Sequence, residues 1–219
     1  MKNELLKIFI SGGYVMFPLL LCSLISMTII IERLISLREK RIIKQQELNK
    51  LNGLLENKFY DKALEQCIAN PNPLTNIIRV IIENKDLPPE NLRQIISDSA
   101  KLELPNIERF LAALSTVASV SPLLGLLGTV TGMMKVFRVI TTIGLGEPAA
   151  LSGGIAEALI TTVFGLAIAI PSLVMHNYFQ HKAEVIIGKI EGISLNLLRK
   201  LSYSSYLSKM PNLNQKVSN

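Results

Sequence analysis

The chain has 219 residues, a formal net charge of +6 and no tryptophan; 49% of its residues are apolar and its mean hydropathy is positive. That balance fits several membrane-crossing helices. A nucleic-acid module is excluded, because the basic residues are interspersed with acids and no aromatic-flanked basic patch occurs.

Residues 1–13 begin with charge but lack the small-residue cleavage site of a secretory signal, so they are expected to stay attached. Leu5, Leu6, Ile8 and Phe9 can share one side of a short interfacial helix on the outer face, with Lys2, Asn3 and Lys7 opposite. Residues 14–31 carry no charge, and about 18 residues at 1.5 Å each nearly cross a hydrocarbon core of roughly 30 Å. This first span is expected to end abruptly at Glu32-Arg33. Arg38, Lys40, Arg41 and Lys44 follow it, and clustered cations beside a span mark the cytoplasmic side. The N-terminus therefore faces outward.

Residues 32–109 alternate acids and bases with apolar residues at helical spacing, as in Leu48, Leu51, Leu54 and Leu55, and read as amphipathic helices in the cytoplasm. Breaks are expected at Asn70-Pro71-Asn72-Pro73 and at Asp86-Leu-Pro-Pro89, because proline cannot sustain a helix interior. Pro88-Pro89-Glu90 is a good helix opening, from which Leu92, Ile95, Ile96, Ala100 and Leu104 run toward the membrane as one face. Pro105 is expected to kink this entry.

Residues 110–143 form a second span with an extension, since about 30 helical residues reach about 45 Å and exceed the hydrocarbon thickness. Lys135 and Arg138 lie near its outer end, where long cationic side chains can snorkel to headgroups. Residues 144–151 make a short loop on the outer side, so the third span, 152–175, is an antiparallel neighbour of the second. Residues 176–219 return to the cytoplasm as a helix and then a polar tail, with Lys182, Lys189, Arg199 and Lys200 again on the inner side. The expected fold is all-α: a polytopic membrane protein with three transmembrane helices, its long second and third helices extending into a helical cytoplasmic region.

Polar residues inside the spans are the candidate functional groups. Gly125, Gly128 and Gly132 clear one side of the second span for close backbone approach, and Gly165, Pro122 and Pro171 are placed with them as packing positions. Glu157 demands more explanation, because an acid in a membrane helix costs a few kcal/mol on insertion scales and usually faces protein or water. It lies too deep to cap the third span from Ser152. Thr161 and Gly165 follow on the same side, whereas Thr162 projects about 140° away. Taken alone, Thr129 and Thr131 can satisfy their hydroxyls on their own helix. One subunit alone is not expected to hide Glu157 well; a ring would.

Enzyme parts are missing from the sequence: it has no Gly-x-Ser-x-Gly elbow, phosphate loop or His-Glu-x-x-His. His176 and His181 are off-phase for one metal on one helix face, and Cys22 and Cys67 suggest neither a disulfide framework nor a metal site.

Five stretches in order, Gly12-Gly-Tyr-Val-Met-Phe-Pro18, Ile30-Ile-Glu-Arg-Leu34, Pro122-Leu-Leu-Gly-Leu-Leu-Gly-Thr-Val-Thr-Gly132, Gly154-Ile-Ala-Glu-Ala-Leu-Ile-Thr-Thr162 and Ala167-Ile-Ala-Ile-Pro171, resemble the ExbB/TolQ/MotA proton-channel family. The resemblance implies an inner-membrane motor subunit driven by the proton gradient without a cofactor. It implies a homopentamer around two copies of an ExbD- or TolR-like single-span partner that carries a protonatable Asp, coupled to a TonB- or TolA-type transducer. It also implies that Thr129 and Thr162 are pore threonines and Glu157 the membrane glutamate, with Thr161 beside them. The short loop and modest insert resemble the ExbB/TolQ branch, most nearly ExbB. Lys135 and Arg138 stand where uncharged residues are expected. The competing expectations are a TolQ-like unit for envelope integrity and a non-conducting scaffold in which Glu157 and Thr162 tolerate apolar replacement.

Overall fold

The computed structural model describes residues 11–144 and 148–209. The interfacial helix expected in residues 1–10, the loop residues 145–147 and the tail beyond 209 lie outside them. All regular structure among the described residues is helical: α1 (Met16–Ser36), α2 (Glu39–Ile42), α3 (Gln45–Glu56), α4 (Tyr60–Ala69), α5 (Pro73–Glu83), α6 (Pro89–Ile107), α7 (Leu111–Ile143) and α8 (Pro148–Lys209). The residues group into two compact units, one holding the described chain up to Ile35 with Arg109–Gln180, the other Ser36–Glu108 with the chain from His181 onward.

In the first unit α1, α7 and α8 are each long and apolar enough to cross a membrane. Helix α1 buries Met16, Leu19, Ser26 and Arg33 along one stripe, while Phe17, Leu20, Leu21, Leu24 and Met27 are exposed. An apolar surface of that kind is stable against lipid rather than water. Ser26 and Ser172 tie α1 to α8 through hydroxyls 2.6 Å apart. The Ser172 hydroxyl donates to the Ile168 carbonyl at 2.7 Å, so Ser26 is the donor in the pair.

One junction differs from the sequence expectation. Helix α1 does not stop at Glu32-Arg33 but runs to Ser36. Arg33 is buried, ion-paired to Glu32 at 2.6 Å, with its guanidinium 5.4 Å from the Phe110 ring centre. A cation that stacks on a ring can stay in the helix instead of ending it at the water boundary. Pro105, where a kink is expected, lies inside α6, and a separate turn follows at Phe110, whose φ of +67° is left-handed. A bulky residue in that region marks an imposed turn, and Arg109, 4.7 Å from the ring centre, helps hold it.

The second unit is built from short amphipathic helices. Leu48, Leu51 and Leu55 of α3, Ala63 and Cys67 of α4, and Ile77, Ile78 and Ile81 of α5 are all buried. Helix α5 begins with a capping box: Asn72 accepts from the Thr75 N–H at 3.0 Å and its own N–H donates to the Thr75 hydroxyl at 2.9 Å. Pro73 occupies the first turn, which explains why a proline-rich break becomes a helix start. The distal part of α8 contributes Ala183, Ile186, Ile190 and Leu197 to the buried set. Its Lys189 and Lys200 pair with Glu39 and Glu56 at 2.6 and 3.0 Å. These pairs are half-exposed, and surface pairs of this kind contribute about 0–1 kcal/mol each.

Candidate functional site

The site lies where α7 and α8 cross with their backbones nearly touching. A Cβ built on Gly125 would lie 3.0 Å from the Thr161 carbonyl oxygen, one on Gly132 2.7 Å from the Gly154 oxygen, and one on Gly165 2.6 Å from the Ser121 oxygen. A Cβ on Gly128 would collide with the Thr161 side chain. The crossing therefore uses small residues from both helices, and Gly154 and Ala158 complete it from α8. In lipid, where apolar burial gives no net drive between helices, such van der Waals contact is the main adhesive. Pro122 is half-buried in α7, but Pro171 is exposed; its neighbour Ser172 is the residue packed against α1.

The hydroxyls divide by environment. Thr161 is fully buried in the Gly128 notch, and its hydroxyl donates to the carbonyls of Glu157 and Ala158 at 3.1 and 2.9 Å. Ser121 is equally buried and donates to the Val117 carbonyl at 2.7 Å. Thr162 is half-buried, and its hydroxyl reaches across to the Gly125 carbonyl at 3.3 Å as well as back to Ala158 at 3.2 Å. Thr129 is half-buried on α7 and donates to the Leu126 carbonyl at 2.6 Å. Only Thr162 of these bonds from one helix to the other, and through a long, easily exchanged contact.

Glu157 differs from expectation in two ways. First, it is only 9% exposed in the single chain, so no ring is needed to cover it. The covering comes from the turn before α1: Gly13, with φ of +69°, packs its backbone on the carboxylate so closely that any Cβ there would collide with Oε1. Second, it is not an isolated acid. Lys135 Nζ lies 2.6 Å from both carboxylate oxygens. Lys135 thus turns toward α8 rather than toward headgroups, which resolves the cost of each charge by pairing it with the other. Helix projection of α8 alone could not reveal this. The signal available was an acid and a base, each inside an apolar helix, joined by a short loop that brings the two helices side by side. Gly13 was hidden differently, as one more glycine in an entry motif.

The carboxylate is held by Lys135, while the threonine hydroxyls bond to backbone carbonyls. Glu157 and Thr162 therefore occupy separate polar environments on α8. Among the described residues no group of three or more His, Cys, Asp and Glu is placed to hold a metal ion.

Comparison with known proteins agrees with this architecture. Residues 52–192 match the model of the MotA/TolQ/ExbB proton channel family. The chain is 34% identical over 185 residues to the Synechocystis sp. protein named ExbB-like 3, covering 78% of this chain and 82% of that one. It is 30% identical over 190 residues to the Tol-Pal system protein TolQ of Pseudomonas aeruginosa, covering 80% of each. Against the ExbB homologue of Methanothermobacter thermautotrophicus it is 29% identical over 205 residues, covering 93% and 71%. Three apolar helices, a glycine-lined crossing and a paired membrane carboxylate thus sit in a chain that belongs to the MotA/TolQ/ExbB proton channel family.

Proposed function

We propose that this chain is the ring-forming subunit of a proton-driven motor in the bacterial inner membrane. Five copies surround a single-span ExbD-like partner that bears an intramembrane Asp, and proton flow is coupled to a TonB-type transducer for outer-membrane transport, with no cofactor. The observation that carries this reading is the α7–α8 hairpin, two apolar helices that present hydroxyls at membrane depth and are otherwise exposed along Leu123, Leu126, Val130, Leu159, Val163 and Leu166. Helices with such faces pack against further copies or a partner in lipid. A TolQ-like role in envelope integrity is the second reading, supported by relatives carrying the TolQ name as well as the ExbB name.

The test is co-expression with a single-span partner of that kind. Native mass spectrometry in mild detergent is expected to give one dominant pentamer with the partner bound, and vesicles containing the complex to pass protons down a gradient. A monomer that sustains full transport on its own would defeat the ring, and a partner-bound ring that never passes protons would favour a scaffold.

Orientation is expected to place the N-terminus and residues 144–151 in the periplasm, with 32–109 and 176–219 in the cytoplasm. An impermeant maleimide added to sealed cells should modify Gly146→Cys and spare Glu65→Cys; the reverse pattern would overturn the assignment. The native Cys67 gives little background in lysed controls, because burial pushes its thiol up to about 11, with Arg79 pulling partly back. At pH 8 roughly one molecule in a thousand then carries the reactive thiolate.

A further inference from the structure

The Lys135 ammonium stands where a small cation would otherwise have to stand. Both Glu157 oxygens are 2.6 Å from Nζ, and the glutamate side chain is 11% exposed against 49% for the lysine. The Gly13 backbone closes another side of the carboxylate. The described residues flanking Glu157 within a turn of α8, from Gly154 to Thr161, include no further ionisable group, nor do Gly12 and Gly13. On α7 the next charged residue after Lys135 is Arg138, which is exposed.

We infer that Lys135 is an ion-selectivity residue: a tethered cation that occupies the Glu157 carboxylate and so excludes free alkali ions from it. The proposal rests on the proton-motor reading for the meaning of that selectivity. The site itself is a property of the chain. With Lys135 present, sodium finds the carboxylate already neutralised. With Lys135 removed, the carboxylate seated against Gly13 lacks its partner cation, and one from solution takes that place.

The test compares sodium chloride with choline chloride at equal ionic strength and pH 8, where protons are scarce, and reads the melting temperature of the purified protein in detergent. Wild type and Lys135→Arg are expected to melt at the same temperature in either salt. Lys135→Met is expected to melt lower in choline and to regain several degrees in sodium, since a ligand bound only to the folded state stabilises it by mass action. The double variant Lys135→Met/Glu157→Gln should lose the sodium response and recover stability in choline, because neither charge is then left unpaired. That recovery separates a charge effect from simple loss of packing. The inference is overturned if wild type shows a sodium shift that Glu157→Gln removes, or if Lys135→Met melts alike in both salts. Melting requires no proton flow, so failure of the motor reading in vesicles would leave this result standing, and the reverse.

Discussion

Gly165→Leu is expected to separate α7 from α8 and abolish assembly of the proposed ring, and Gly165→Ala to lower the melting temperature by several degrees. The Cβ added at Gly165 would lie 2.6 Å from the Ser121 carbonyl oxygen and 3.1 Å from the Gly125 Cα, both of them backbone atoms of α7. A flexible side chain could swing aside, but here one whole helix must move from the other. Overpacking of this kind costs about 1–3 kcal/mol where the surroundings can partly give. The same displacement would loosen the reciprocal contacts of Gly125 with Thr161 and Thr162. The matched control is Gly192→Ala further along α8, where an added Cβ meets nothing within 4 Å. That change should be neutral or stabilise by about 0.5–1 kcal/mol through helix propensity. Thermal unfolding of the purified variants in one detergent decides it. Equal melting temperatures for Gly165→Ala and Gly192→Ala would mean that the crossing does not hold the hairpin together.

The contrast between these glycines shows how much of the fold could be read from sequence. Three apolar stretches of spanning length, their polar flanks and the proline breaks located the long helices, because hydropathy and helix-breaking act over many residues at once. The Asn72-Pro73 start was legible as a break, while its capping box depended on Thr75 turning its hydroxyl back to the Asn72 N–H. The extension of α1 through Arg33 was not legible, because the residue that accepts the buried cation, Phe110, lies 77 positions away in the sequence. The same is true of the site. Glu157 stood out as an acid in an apolar helix, yet its state is set by Lys135 on another helix and by the backbone of Gly13. Pairings between elements leave no periodic trace in either partner, so they emerge only when the helices are placed side by side.

Thr162→Val is expected to assemble normally and to lose proton-driven work, with Thr129→Val weakening that work similarly. Valine reproduces the shape of threonine and removes only the hydroxyl. At position 162 the hydroxyl makes contacts of 3.3 Å to Gly125 and 3.2 Å to Ala158, both at the long end of hydrogen bonding. Their structural worth is therefore small, about 0.6 kcal/mol for an average interhelical bond in lipid. A hydroxyl held so loosely can exchange its partner for water or for a carboxyl on the helix of the proposed single-span partner. Such groups keep an intramembrane carboxyl solvated in both protonation states, whereas apolar walls would hold it neutral. Thr161→Val is the discriminating neighbour: that hydroxyl is sealed at the crossing and bonded to its own helix, so its loss should leave proton flow near wild type. Glu157→Gln tests charge apart from polarity, with partial activity meaning that the acid shapes the field and complete loss meaning that its charge is required. Proton flux into vesicles, measured beside native mass spectra of each variant, distinguishes these outcomes. If Thr162→Val forms the full complex and conducts at the wild-type rate, the hydroxyl route is wrong and a packing role for the hairpin is all that remains.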